Sequence, residues 1–121
     1  MENDLEKSKF APNIANFTII DNSLFLDKRI SSTDIIVYGL IASLSNNEKR
    51  ACYCNNKYLA NIKNITTRQI QYCLNKLKKY NYITIDYDNN QRLIRTYIDY
   101  QVYKRNFENN LVDFDWIGQN D

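Results

Sequence analysis

Residues 56–83 read NKYLANIKNITTRQIQYCLNKLKKYNYI, and two apolar patterns in this stretch decide the fold. The first pattern predicts a short helix with a cap at Asn55 or Asn56. Asn64 is expected to end this helix in a left-handed conformation, which asparagine adopts more readily than most residues with a side chain. The inward stripe of this helix consists of Tyr58, Leu59 and Ile62.

The second pattern predicts a longer helix directly after the turn. Thr66 is expected to cap its first turn, and Asn81 is expected to end it in the same left-handed way as Asn64. Its apolar residues follow the i, i+3, i+4, i+7 spacing of one helix face. These inward residues are Ile70, Cys73, Leu74 and Leu77.

The opposite face of the second helix carries polar and basic side chains. Arginine can donate two hydrogen bonds to the major-groove edge of guanine, and glutamine or asparagine can pair with adenine. Most amphipathic helices are polar on their outer face, so an ordinary solvated surface remains the alternative. The outward residues are Thr67, Arg68, Gln71, Tyr72, Asn75 and Lys78, with Gln69, Lys76 and Lys79 at the edges.

A hairpin is predicted after this helix. Residues 83–87 alternate between apolar and polar side chains, residues 88–91 have turn chemistry, and residues 92–98 return as the second strand. The sequence therefore places a short helix, a longer helix and a hairpin in direct succession.

Upstream of this unit the sequence predicts a central buried helix. Ser31 can cap its first turn, and the charge of Asp34 suits a helix N-terminus. The helix is apolar on most sides through Leu44, and Asn46 and Asn47 are expected to end it.

Three other segments give weaker signals. Residues 17–20 and residues 51–54 are each typical of a short strand, whereas residues 100–106 are compatible with strand or helix. The expected organisation is a polar N-terminal segment (1–16), a folded domain (17–105) and an acidic C-terminal tail (106–121).

Charge is distributed unevenly along the chain, although the net charge is only +2. Ten basic and three acidic residues between Glu48 and Arg95 give that region +7, whereas four acidic residues from Glu108 onward give the C-terminus −4. A positive body with a negative tail is typical of a nucleic-acid-binding protein whose terminus has another role.

Composition argues against several classes of function. The chain has no histidine, no glycine-rich phosphate loop and no nucleophile with an obvious base partner, so we expect no enzymatic activity and no cofactor. Cys52, Cys54 and Cys73 are odd in number and have no histidine to complete a zinc site, so we expect neither a disulfide framework nor a metal. The sequence shows neither a signal peptide nor an apolar run of about 20 residues, which predicts a soluble cytoplasmic protein without membrane contact.

Residues 33–98 resemble the winged helix-turn-helix domain of bacterial, plasmid and phage replication initiators and related small regulators. The matching motifs are YLA at residues 58–60, NITTRQI at residues 64–70 and LNKLKKYNYI at residues 74–83. The chain has asparagine at both helix ends where the family usually has glycine. The resemblance implies an α+β winged helix-turn-helix fold with three core helices and a C-terminal two-stranded wing. It also implies binding of double-stranded DNA, often by a dimer at repeated or palindromic sites.

Together these features predict a sequence-specific double-stranded DNA-binding protein, either a replication initiator domain or a transcriptional regulator. The helix from Thr67 to Tyr80 is expected to read the major groove, with Arg68 and Gln71 as the main base-reading residues. The preceding helix should face phosphates, and two wing arginines should reach an adjacent backbone or minor groove. The predicted DNA-binding residues are Lys57, Thr66, Thr67, Arg68, Gln69, Gln71, Tyr72, Asn75, Lys76, Arg92 and Arg95.

The C-terminal tail supports an alternative function. Phe114, Trp116 and Ile117 lie among acidic residues and resemble a short docking segment. In that reading the protein is a protein-interaction adaptor, or a phage accessory or inhibitory factor, built on a winged-helix fold. Trp116 could instead fold back into the core, or the acidic tail could compete with DNA for the basic face. The sequence leaves these alternatives open.

Overall fold

A computed structural model describes residues 18–120, with side chains described for residues 18–109. Within this part, five helices and a two-stranded antiparallel sheet build an α+β fold. The expected α+β class is confirmed, and residues 100–106, which the sequence left open between strand and helix, belong to a helix that follows the sheet. In chain order the elements are α1 (Ser23–Leu26), α2 (Ser32–Ser43), α3 (Asn56–Lys63), α4 (Thr67–Lys79), β1 (Ile83–Asp88), β2 (Gln91–Thr96) and α5 (Tyr97–Asn120).

Helix α2 begins as the sequence predicts. The Ser31 hydroxyl accepts a hydrogen bond from the Asp34 N–H (3.2 Å), and the Asp34 carboxylate accepts one from the Ser31 N–H (2.8 Å). This reciprocal capping box satisfies two donors that have no partner inside the helix. Val37 and Ile41 on the inner face are fully buried, so α2 contributes directly to the core.

Two expectations about α2 need correction. The helix ends at Ser43 rather than at the two asparagines, because the hydroxyls of Ser43 and Ser45 donate to the last carbonyls and satisfy them early. Ile36 is 48% exposed, so one side of α2 faces solvent and the helix is not buried on all sides.

The hairpin closes with a tighter turn than the four residues expected. Strands β1 and β2 pair from Ile83 opposite Thr96 to Asp88 opposite Gln91, which leaves a two-residue loop. Asn89 and Asn90 both have positive φ, 51° and 68°. Two left-handed residues are what a two-residue hairpin turn requires, and asparagine meets that demand at low cost.

Two of the weaker strand signals are corrected by the structure. Thr18–Ile20 form no regular structure in the described chain, because no strand pairs with them there; Phe17 lies outside the described residues. In residues 51–54 only Cys52 makes a bridge, exchanging hydrogen bonds with Ile94 of β2 (2.7 and 3.0 Å). This single bridge ties the approach to α3 onto the sheet.

The region after β2 is helical, which corrects the predicted second strand from Arg92 to Ile98. Strand β2 ends at Thr96, and α5 begins at Tyr97. The Thr96 hydroxyl accepts a hydrogen bond from the Asp99 N–H (3.1 Å), which is the geometry of a helix cap. The backbone of α5 then runs without a break across the domain boundary expected between residues 105 and 106. That boundary remains a prediction.

The core lies between α2, α4 and the inner face of the hairpin. Burying one large apolar side chain completely contributes about 1.5–3 kcal/mol to the free energy of folding. The largest fully buried apolar side chains of this cluster are Tyr38, Leu24, Ile41, Leu59, Ile70, Leu74, Leu77 and Ile94. Packing on this scale holds α4 rigidly, so its outer face has a fixed direction.

Candidate nucleic-acid interface

Helices α3 and α4 meet at a corner. Both ends of α3 and the start of α4 are capped. Asn55 accepts a hydrogen bond from the Tyr58 N–H (2.8 Å) at the start of α3. Asn64 ends α3 with φ 55° and ψ 45°, the left-handed conformation expected from the sequence. Thr66 starts α4 by accepting from the Gln69 N–H (3.1 Å), and the Gln69 side chain accepts from the Thr66 N–H (2.9 Å). Only Asn64, Ile65 and Thr66 lie between the two helices, so the angle between them is set locally.

The two faces of α4 divide as the sequence predicts. Ile70, Cys73, Leu74 and Leu77 are buried on the inner face. The outer face is solvent-exposed, and even its aromatic residue, Tyr72, is 65% exposed. The exposed side chains are Thr67, Arg68, Gln69, Gln71, Tyr72, Asn75, Lys78 and Lys79.

Three side-chain amides form a hydrogen-bonded chain from α3 to the outer face of α4. Asn56 Nδ2 donates to Gln71 Oε1, and Gln71 Nε2 donates to Asn75 Oδ1, each at 2.9 Å. Asn56 was not among the predicted site residues, because the sequence suggested only a cap at this position. The signal available was the pair Asn55-Asn56, of which one residue suffices to cap the helix.

Ion pairs occupy several cations that contributed to the expected +7. The described pairs are Arg29–Asp27, Lys49–Asp88, Arg50–Asp99, Lys76–Asp34 and Arg95–Asp86. Among the described side chains of α3 and α4, five cations have no carboxylate within 4.0 Å: Lys57, Lys63, Arg68, Lys78 and Lys79. The uncompensated positive charge of this part of the chain therefore concentrates on the two helices of the corner.

Arg95 does not lie on the surface, where a residue must lie to contact DNA. This corrects its prediction as a DNA-binding residue. It is only 3% exposed. Its Nε donates to the Lys49 carbonyl (3.0 Å), its Nη1 donates to Asp86 (3.4 Å), and its guanidinium lies 4.0 Å from the centre of the Tyr103 ring. The side chain is enclosed between the sheet and α5, so it joins these elements.

Arg92 is also directed away from the hairpin tip, contrary to its predicted place there. It pairs with Tyr87 in the sheet register, and the tip itself consists of Asn89 and Asn90. Its Nη2 donates to the Cys54 carbonyl (2.9 Å), just before α3. The half-buried guanidinium thus supports the entry into the corner instead of projecting from the hairpin.

Lys76 is tied to the interior by a buried carboxylate. Its Nζ lies 2.9 Å from Asp34, whose side chain is 1% exposed. The hydrogen bond to this carboxylate raises the pKa of Lys76, so the ammonium stays charged. Burial raises the pKa of the neighbouring Cys73 thiol to about 12, and the Asp34 charge acts in the same direction. Cys73 is therefore a packed, protonated side chain, and Lys76 has a structural partner that the sequence did not reveal.

Thr66 and Gln69 use their side chains for the capping box, so their main role in the structure is to start α4. The N–H groups of Thr67 and Arg68 lie in the first turn, where a helix provides no acceptor. Such groups attract anions. Contacts from these four residues to DNA remain predictions.

The predicted partner-binding residues Phe114, Trp116 and Ile117 belong to the C-terminal part of α5, and their side chains lie outside the described residues. Between residues 18 and 120 no helix has both the length and the apolar character needed to cross a membrane.

Residues 28–83 match a family model described as a helix-turn-helix domain. This part of the chain is therefore similar to helix-turn-helix domains. The match spans α2, α3 and α4 and ends at the first residue of β1, so it covers the corner and its supporting helix. Comparison with curated proteins and with solved structures gave no match.

Proposed function

We propose that the protein binds double-stranded DNA sequence-specifically and reads the major groove with the outer face of α4. The observation that carries this proposal is the exposed Arg68–Gln71–Asn75 surface on a rigidly packed helix of a helix-turn-helix domain. Its side chains are of the types that read base edges, and the five described cations of α3 and α4 without a carboxylate within 4.0 Å lie on the same two helices. A helix face that contacts only water would need neither base-reading side chains nor nearby unpaired cations.

In this proposal Arg68 and Gln71 read bases. Arg68 is exposed in the first turn of α4 and has no carboxylate partner among the described side chains. Its guanidinium is free to donate two parallel hydrogen bonds to guanine, for which it has the right geometry. Gln71 lies about one turn further along the same face and offers both a donor and an acceptor.

The phosphate contacts come from the cations around this face. Lys57 and Lys63 are exposed on α3, and Lys78 and Lys79 are exposed at the end of α4. The free N–H groups and the hydroxyl of Thr67 at the start of α4 hold a further phosphate. Such contacts supply affinity and register but little sequence information.

The hairpin acts as the wing in this proposal, although its arginines point elsewhere. The tip residues Asn89, Asn90 and Gln91 are exposed and polar, so they reach the neighbouring backbone as neutral hydrogen-bonding groups. A role as a replication initiator or transcriptional regulator, acting as a dimer, rests on the family resemblance. A selected motif with two half-sites would support a dimer.

Arg68→Ala is expected to reduce discrimination at one base pair of the selected site by about 1–3 kcal/mol. The alanine removes the forked donor without disturbing the core, since Arg68 is exposed. Sites selected from random duplex DNA by the wild-type chain provide the probe. Mobility shifts at fixed salt measure the affinities for the selected site and for the three single-base-pair variants at each of its positions.

Arg105→Ala is the matched control, because it removes another exposed arginine, which lies on α5. It should leave the base preferences unchanged. Equal effects of both variants at every base pair would mean that Arg68 supplies charge only. Failure of the wild-type chain to bind any duplex at low salt would refute the proposed function.

A further inference from the structure

The amide chain described above fixes the direction in which Gln71 presents its polar atoms. A free glutamine amide can rotate by half a turn and exchange its oxygen and nitrogen. Here Asn56 Nδ2 holds the Gln71 oxygen on the side of α3, and Asn75 Oδ1 holds the nitrogen on the other side. Rotation of the Gln71 amide alone would break both hydrogen bonds, so Gln71 can turn only if Asn56 and Asn75 turn with it.

The hydrogen-bonding capacity left on Gln71 matches one base. A primary amide has two N–H donors and an oxygen with two lone pairs. The chain uses one donor and one lone pair, so one of each remains. Adenine presents an acceptor, N7, beside a donor, N6, whereas guanine presents two acceptors, N7 and O6. Guanine would therefore place O6 against the fixed oxygen of Gln71.

Asn56 has no other described task that explains its side chain. The cap of α3 is Asn55. The only described hydrogen bond of the Asn56 side chain goes to Gln71, while its Oδ1 is buried without a partner among the described atoms. A buried polar atom without a partner is a cost to the fold. The side chain is thus better explained by what it does to Gln71 than by stability.

We propose that Asn56 is a positioning residue that sets the base specificity of Gln71, so that the bound site requires an adenine opposite Gln71. This inference rests on the DNA-binding function proposed above. Asn56 need not touch the DNA, because it acts by holding the Gln71 oxygen in place.

The test compares sites selected from random duplex DNA by the full chain and by four variants. Asn56→Ala removes the donor to Gln71, and Gln71→Ala removes the reader itself. Asn56→Asp replaces the donor by a group that only accepts, so that the Gln71 nitrogen must turn towards α3. Its carboxylate is favourable in the first turn of a helix, so this variant keeps α3 intact. Asn61→Ala, an exposed asparagine on the same helix without a described side-chain hydrogen bond, is the control.

The wild-type chain should prefer adenine at one position by about 5- to 150-fold, the factor that corresponds to one good bidentate base contact. Gln71→Ala and both Asn56 variants should lose this preference at the same position and keep the preferences elsewhere. Asn61→Ala should match the wild type. A residue needed only for folding would weaken binding to all sites together.

Two results would overturn the inference and leave DNA binding standing. One is an unchanged adenine preference in both Asn56 variants. The other is a Gln71-dependent position that prefers a different base. Absence of DNA binding by the wild-type chain at low salt would overturn the proposed function itself, and this inference with it.

Discussion

Replacing Arg95 by alanine is expected to lower the free energy of unfolding by about 3 kcal/mol. The change leaves the Lys49 carbonyl without its 3.0 Å donor, removes the contact with Asp86 and opens a gap beside Tyr103. Because the guanidinium is enclosed, the variant should keep the base preferences of the wild type when measured at a temperature where both are folded. Urea unfolding followed by circular dichroism gives the stability, and mobility shifts give the binding.

Arg95→Met separates packing from polar contacts, since it keeps an unbranched stem of similar length. It should recover part of the lost stability, because long side-chain stems contribute by packing. Arg105→Ala, which removes an exposed arginine, should stay within about 0.5 kcal/mol of the wild type. An Arg95→Ala variant with wild-type stability and a lost base contact would restore the role first predicted for this residue.

The failure of the Arg95 prediction has a physical cause in the sheet. Alternation along a strand assumes that one face is covered and the other is open to solvent. In β2, Leu93, Ile94, Arg95 and Thr96 are all buried, because the core covers one face and α5 covers the other. The sequence of β2 alone cannot show this, since the covering helix lies further along the chain.

A signal for α5 was nevertheless present. Thr96 and Asp99 have the spacing of a capping box, and the Thr96 hydroxyl does accept from the Asp99 N–H. The alternating residues before it favoured a longer strand and masked this start. Recognising the cap would have ended β2 at Thr96 and placed a helix against the sheet.

Local chemistry was predictable where a few neighbouring residues determine the outcome. Ser31 and Thr66 cap their helices as expected, and Asn64 and Asn81 adopt positive φ, 55° and 66°. Each of these conformations depends on interactions within about four residues. The inward stripe of α4 was predictable for the same reason, because helical spacing alone places those residues together.

Pairing over long distances in the chain was not predictable. Asp34 and Lys76 are far apart in sequence, yet they form a 2.9 Å ion pair in the structure. Asn56 and Gln71 join the two helices of the corner in the same way. Residue type and helical position limit which side chains are available, but only the packing of α2, α3 and α4 decides which of them meet.

Replacing Asp34 by alanine is expected to lower the free energy of unfolding by about 3 kcal/mol, since it breaks a buried ion pair and the capping box of α2 together. The control is Asp88→Asn, because the Lys49–Asp88 pair has almost the same length, 3.0 Å, but the Asp88 side chain is 50% exposed. An exposed pair contributes only about 0–1 kcal/mol. The comparison therefore shows how much more a buried carboxylate that also caps a helix contributes than an exposed ion pair of almost the same length.

The same carboxylate predicts how stability depends on pH. Burial alone would raise the pKa of Asp34, but hydrogen bonds from the Ser31 N–H and from Lys76 outweigh it and hold the pKa below its ordinary value. A carboxyl with a lowered pKa in the folded state stabilises fully above its unfolded value of about 3.9, and this stabilisation is lost as the pH falls through the folded value. Stability contributed by Asp34 should therefore be constant near neutral pH and decline in acid.

Asp34→Asn keeps the shape of the side chain and removes its titration, so it tests this sign directly. Urea unfolding from about pH 7 to pH 3 should show a steeper loss of stability in the wild type than in Asp34→Asn, with the two curves converging in acid. Asp27, whose pKa is also lowered by its hydrogen bonds from Arg29 and Tyr82, is present in both proteins and cancels in the difference. Parallel curves over the whole range would mean that the Asp34 charge does not stabilise the fold and that its contribution is the neutral cap alone.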